Sequence, residues 1–251
     1  MKRLFYSLLV GMFFACAIAY AEPKPISLKI TLIRGPAANC LFKRKGKKKW
    51  RSAKVKYVLQ EGDELQTKDG VRVEMVSRSG YVVRLNENSH FKVKALKSDK
   101  QGVVSKVKLW LGKSWFKVKK VAKARSRFEV ETPSAVAGVY GTTYRINVAD
   151  DKSTSVRVYD GQVKVSPPAA PLIAPVEVFD GGPHEVSGPE EVPGPEEVTK
   201  DEWFTILGAM QEVNISSDGN KQDESEFDEQ EDEQDEWVRW NKERDAEHKW
   251  E

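Results

Sequence analysis

The sequence predicts an all-β body, an antiparallel two-sheet sandwich or a short β-solenoid-like module, followed by an acidic, mostly disordered C-terminal tail with one short helix. Three observations predict it. Between Ile26 and Val165 apolar residues recur with period two in short runs divided by Gly, Asp, Asn and Ser, the pattern of strands with one buried face. After Val165 the composition turns to proline, glycine and glutamate. Charge divides at the same place: residues 22–166 hold 33 Lys and Arg against 13 Asp and Glu, and residues 167–251 hold 6 against 25, so a body of +20 carries a tail of −19 in a chain of net charge +3. With 251 residues, 39% hydrophobic and 31% charged, the chain has room for one fair-sized domain or two small ones and is too polar for a polytopic membrane protein.

Taken in order, Lys2 and Arg3 lead into the apolar residues 4–18, and Ala19-Tyr20-Ala21 supplies the small-x-small pattern of a signal-peptidase site. Residues 1–21 are therefore expected to be a signal peptide cleaved after Ala21, giving a periplasmic or secreted protein; an uncleaved N-terminal membrane anchor is the alternative. Cys16 leaves with this segment, so Cys40 is the single thiol of the mature chain and is expected to be a small buried hydrophobe. Residues 22–60 read as a strand-rich leader packed on a β-domain at 61–166. In that domain Val71, Val73 and Met75 alternate with Arg72 and Glu74, and Phe91, Val93 and Ala95 alternate with Lys92 and Lys94. The same alternation runs through Val107, Leu109 and Leu111 and ends at Val163 and Val165, where Asp160-Gly161 suits a tight hairpin. Residues 167–198 form a Pro/Gly/Glu linker in which Gly188-Pro189-Glu190-Glu191-Val192 is echoed at Gly194-Pro195-Glu196-Glu197-Val198. Thr199 and Glu202 spell a capping box before the stripe Trp203, Ile206, Leu207, Met210 and Val213, which predicts an amphipathic helix over 199–213. Residues 214–251 are an acidic, Trp-containing tail. Self-repulsion is expected to keep 218–236 disordered, with a second short helix around Trp237, Trp240 and Trp250.

At Thr132-Pro133-Ser134-Ala135-Val136-Ala137-Gly138-Val139-Tyr140-Gly141-Thr142-Thr143-Tyr144 the chain resembles the signature of FecR-domain proteins. Gly62-Asp63-Glu64-Leu65-Gln66-Thr67 is similar to the family's opening, Gly112 and Trp115-Phe116 stand at its glycine and aromatic positions, and Val158-Tyr159-Asp160-Gly161-Gln162-Val163 is similar to its closing hairpin. The resemblance implies a β-domain over 61–166 in a stand-alone exported member without an anti-sigma segment. The family's namesake is a membrane-bound regulator that passes a signal from an outer-membrane receptor to a cytoplasmic sigma factor. Some regulators with this module are thought to cleave themselves at a Gly-Thr pair in the motif. That implies a second reading here, in which the Thr142 hydroxyl attacks the Gly141 carbonyl in an N-to-O acyl shift. Tyr140 stands where many members carry Arg, which removes a cation from that position.

Read mechanically, Pro133 ends a strand, Gly138 and Gly141 let the backbone turn or another strand approach, and Thr142 bonds freed amides, as in a tight crossover between sheets. The most basic segment is Lys43-Arg44-Lys45-Gly46-Lys47-Lys48-Lys49-Trp50-Arg51. In an exported chain it points away from nucleic acid and toward an acidic envelope protein, an anionic polymer or a membrane surface. A second basic series, Lys113, Lys117, Lys119, Lys120, Lys123, Arg125 and Arg127, extends the positive field, and the chain's own acidic tail is expected to compete for it. The expected helix offers Trp203, Ile206, Leu207 and Met210 to a sheet or a partner. Metal-ligand spacing, a phosphate loop and a supported Ser/His/Asp set are missing from the sequence, so neither cofactor nor metal is expected. The function expected is non-enzymatic: an envelope binding, scaffold or sensing module that recruits a protein or polyanion, with self-processing at Gly141-Thr142 as the alternative.

Overall fold

Each period-two run forms a strand whose apolar residues enter a shared core. The structure is a computed structural model that describes residues 27–98, 102–120, 126–139, 141–168 and 203–247; the segment 1–21 expected to be a signal peptide and nearly all of the expected 167–198 linker lie outside the described residues. The strands in chain order are β1 (Leu28–Arg34), β2 (Cys40–Lys43), β3 (Arg51–Ser52), β4 (Val58–Leu59), β5 (Glu64–Thr67), β6 (Arg72–Ser77), β7 (Tyr81–Leu85), β8 (His90–Ser98) and β9 (Val103–Val118). They continue as β10 (Arg127–Glu131), β11 (Val136–Val139), β12 (Thr143–Val148), β13 (Thr154–Asp160), β14 (Val163–Ser166), β15 (Thr205–Leu207), β16 (Gln211–Ile215) and β17 (Lys221–Glu226). Two helices follow, α1 (Glu229–Asp232) and α2 (Glu236–Glu247).

The strands form two sheets. The first runs β4-β1-β6-β7-β9-β12-β13-β16-β17, and the second β3-β2-β5-β8-β9-β10-β11-β14-β15. All these pairs are antiparallel except β9 with β10. Strand β9 belongs to both sheets. Its N-terminal part pairs with β8 and β10, and Gly112 onward pairs with β7 and β12. The change occurs at Gly112, whose φ is +92° and where a Cβ would overlap Ser89, so only glycine fits the bend.

Between the sheets Phe116 stacks on Tyr144 with ring centroids 4.9 Å apart, and Phe128 of the second sheet meets Tyr81 and Phe116 at 5.0 and 5.6 Å. Cys40 is fully buried in this core, and burial pushes its thiol up to about 12. The leader strands β1 and β2 are hydrogen-bonded to β6 and β5, so they complete both sheets rather than forming a separate layer.

The C-terminal part departs from expectation in two places. No helix forms over the described part of 199–213. Leu207 lies fully buried in β15, Val213 fully buried in β16, Met210 has φ +62° in the turn between them, and Ile206 is exposed. The spacing 203, 206, 207, 210, 213 suits a helix, but β13 and β14, which lie in different sheets and do not pair as the hairpin expected at Asp160-Gly161, leave one open edge on each sheet. The chain fills both edges, Thr205 and Leu207 extending the second sheet and Val213 and Ile215 the first. Ladder bonds and core burial outweigh the capping box and the stripe, because an isolated helix of this length is marginal. The stretch expected to be disordered, 218–236, contains β17 and α1, and Glu229, Asp232, Glu233, Asp235 and Glu236 pair with arginines or lysines. A helix does form around Trp237 and Trp240, as α2.

Candidate functional site

The basic segment 43–51 is the tip of the hairpin β2–β3. Its base is held by buried Asp63, whose carboxylate accepts from Arg44 Nη1, from the Lys45 amide at 3.1 Å and from the Gln60 amide at 2.9 Å. Lys45 Nζ lies 3.9 Å from Glu61, and Lys43 Nζ lies 2.9 Å from Glu64. Beyond the base, Lys47, Lys48, Lys49 and Arg51 are exposed, with no carboxylate within ion-pair distance among the described residues. One side of the tip borders a cavity of about 360 Å³ lined by Phe42, Arg44, Lys47, Lys48, Lys49 and Arg51. Trp50 folds back toward the sheet, under Lys43 Nζ at 4.8 Å.

Trp50 leads onto the outer face of the second sheet, which sequence reasoning missed. Its ring centroid is 5.7 Å from His90, and His90 is 4.5 Å from Trp110. Glu64 sits among them, 3.1 Å from His90 Nε2 and 3.5 Å from Lys92 Nζ as well as bonded to Lys43. Burial acts to raise the Glu64 carboxyl, but the hydrogen bonds from Lys43 and His90 outweigh it and hold the group below its ordinary value. Burial, aided by the charges of Lys43 and Lys92, lowers His90 against the raising pull of Glu64, and the net direction, below its ordinary value, favours the neutral ring at pH 7. The signal was present in the alternation: Lys106, Lys108 and Trp110 occupy the outward positions between inward Val107 and Leu109.

The outer face of the first sheet is covered. Trp115 and Tyr159 pack there with Trp237, Val238 and Trp240 of α2. Arg84, fully buried, donates to Glu74 at 2.9 Å and to Asp245 at 2.7 Å, and Asp245 also accepts from Trp115 Nε1 at 3.1 Å. Arg244 closes the network on Glu74 at 3.1 Å. Burial acts to raise Glu74, yet the Arg244 and Arg84 hydrogen bonds outweigh it and leave the carboxyl below its ordinary value. Asp232 of α1 accepts from Arg145, Arg157 and the Tyr159 hydroxyl. Of the second basic series, Lys113 pairs with Asp235 at 3.1 Å and Lys117 donates to the Asp245 carbonyl at 3.2 Å. Arg127 pairs with Glu129 on the other sheet, and Lys123 and Arg125 lie outside the described residues. The acidic C-terminal carboxylates thus meet cations of the first sheet and not those of the hairpin tip.

In the motif, Thr132 closes the turn between β10 and β11: its hydroxyl accepts from the Ala135 amide at 2.8 Å, and its own amide donates to the Ala135 carbonyl at 2.8 Å, with Pro133 and Ser134 between them. After β11 the chain passes from the second sheet to the first through Gly141 (φ +69°) and Thr142. Thr142 exchanges both backbone hydrogen bonds with Val118 at 2.9 and 3.0 Å, and its hydroxyl donates to the Gln162 carbonyl at 2.8 Å. The hydroxyl is therefore spent on a group that does not take up a proton. Gly138 makes no turn; it pairs in mid-β11 with Glu129 and Lys164. Of the expected partner helix, Trp203 Nε1 donates to the Gly219 carbonyl at 3.1 Å, and Met210 packs against the cluster around Trp115 and Tyr159.

Residues 63–164 match the family described as FecR protein, a span that holds the motif and its flanking strands. These residues are a FecR domain. The FecR domain accounts for β5 to β14, and the elements outside it, β1 to β4 and β15 to α2, complete its two sheets and cover one of them. Two crystal structures of a candidate anti-sigma factor from Parabacteroides distasonis are similar, each with 16% identity and a TM-score of 0.45 over 66% of this chain. The chain covers 61% of the length of that protein. No curated protein matches the chain significantly.

Proposed function

We propose that the chain is an exported, non-enzymatic binding module of the cell envelope that recruits an anionic partner, an acidic protein or a polyanion, through the hairpin tip, while its acidic C-terminal segment occupies the remaining cationic face. One contrast carries this reading. On the first sheet Arg72, Arg84, Lys113, Arg145 and Arg157 each have a carboxylate of the C-terminal segment or of the sheet as partner, whereas Lys47, Lys48, Lys49 and Arg51 have none among the described residues. Crowding four cations at the end of a two-stranded hairpin raises the local potential, and an anionic ligand relieves it without displacing an internal acid. The FecR domain supports a sensing role, and the basic start, apolar run and Ala19-Tyr20-Ala21 support export.

The test is the combined substitution Lys47→Glu, Lys48→Glu and Lys49→Glu in the chain from Glu22 onward. Affinity for heparin at low salt is expected to fall about tenfold or more, with the melting temperature unchanged because the three side chains are exposed. Unchanged heparin affinity would overturn the assignment of the tip.

A further inference from the structure

The sandwich has two outer faces, and among the described residues only the first sheet's is covered by helix. On the second sheet Trp50, His90 and Trp110 form a strip of three neighbouring rings, half-buried and open on the outer side. Lysines flank it: Lys43 Nζ lies 4.8 Å from the Trp50 ring, and Lys92 and Lys108 each lie 5.7 Å from the Trp110 ring. At one end the strip opens into a groove of about 430 Å³ that shares Lys43, Glu64 and Lys92 with it.

We propose that this strip and groove bind an acidic polysaccharide. The proposal deepens the reading above by naming the ligand class. A ligand held by charge alone has no use for two tryptophans on a polar face, whereas a sugar ring presents an apolar C–H face that stacks on indole. Lys43 and Lys92 share Glu64, and Lys94 and Lys108 share Glu131, so four lysines against two carboxylates leave a net positive charge beside the indoles for uronate or sulfate groups borne on the same rings. Glu64 separates this ligand from a single-stranded nucleic acid, which combines stacking with cations in the same way. Its carboxylate lies in the middle of the site as an acceptor. Sugar hydroxyls on every ring can donate to such a group, whereas the phosphodiesters of a nucleic acid carry no donor and only its base N–H groups could reach it. His90, neutral at pH 7, contributes a ring surface without adding charge.

The experiment is calorimetric titration of the chain from Glu22 onward with polygalacturonate, with polyglutamate of matched charge and with oligodeoxythymidylate, using the native chain, Trp110→Ala and Trp50→Ala. The expected result is saturable binding of polygalacturonate that either tryptophan variant weakens about tenfold, with polyglutamate binding unaffected by both. Trp50 stands on the hairpin tip, so its variant keeps the test valid should Trp110→Ala unfold. Equal binding of the two polymers with no tryptophan dependence would overturn the sugar site while leaving the tip as an anion-binding element. Tryptophan-dependent preference for the oligonucleotide would overturn it in favour of nucleic acid, and failure to bind either acidic polymer would remove both readings.

Discussion

Gly112 shows how one residue decides the architecture. The sixteen-residue β9 would run on in one sheet if its backbone stayed extended. At φ +92° it bends, and the space a Cβ would need is taken by Ser89, whose hydroxyl donates to the Lys113 carbonyl at 3.2 Å across the bend. Gly112→Ala therefore combines an unfavourable backbone conformation with overpacking, and is expected to destabilise the domain by about 3 kcal/mol. Urea unfolding measures it, and a midpoint equal to that of the native chain would show that the bend tolerates a side chain. This glycine was visible in the sequence as a family position, but its task was not, because the residue it would strike lies 23 positions away. Thr142 carries the opposite lesson: the family resemblance at Gly141-Thr142 suggested chemistry, and the fold engages its hydroxyl with the Gln162 carbonyl.

Among elements, α2 is held by ion pairs as much as by its tryptophans, and that makes its docking sensitive to acid. Glu74 and Asp235 both sit below their ordinary values. Burial alone would raise them, but for Glu74 the Arg244 and Arg84 bonds prevail, and for Asp235 the Trp237 amide and Lys113 do so. A carboxyl depressed in the folded state binds its proton less readily than in the unfolded chain. The stability it contributes is therefore complete above the unfolded value, about pH 4, and is lost as pH falls through the lower folded value. The urea midpoint is expected to stay level between about pH 7 and 5 and to drop below about pH 4, with tryptophan emission reporting release of Trp237 and Trp240. A midpoint independent of pH down to about 3 would show that these pairs contribute nothing net. The element scale is also where sequence reading erred most. The strands from β5 to β14 were legible because period two is a local signal. Residues 199–213 read as a helix because the stripe and the capping box are local too, while the open edges at β13 and β14 that claim the described part of them are tertiary. The acid-rich stretch after 218 read as disordered for the same reason: its partners Arg145 and Arg157 lie more than seventy residues upstream.

For the molecule as a whole, the division of charge seen in the sequence becomes a division between faces. Among the described residues, the acidic segment neutralises one outer face of the sandwich and makes no ion pair with the hairpin tip or the other face. The segment is consequently no simple leash: β15 and β16 place Leu207, Val213 and Ile215 in the core, so deleting everything after residue 166 would remove two structural strands along with the charge. The separable part is 228–251, which carries 11 Asp and Glu against 4 Lys and Arg. Ending the chain at Phe227 raises its net charge by 7 and uncovers Arg84, Arg145 and Arg157 beside Trp115 and Tyr159. Because Coulomb attraction between exposed charges is screened within about 10 Å at 0.1 M salt, the gain should be confined to low ionic strength. The truncated chain is expected to leave heparin at higher salt than the full chain and to bind a hydrophobic dye on the uncovered Trp115 and Tyr159 rings. Co-elution of the two would mean that the acidic helices do not limit access to the cationic surface, and the C-terminal segment would then serve the fold alone.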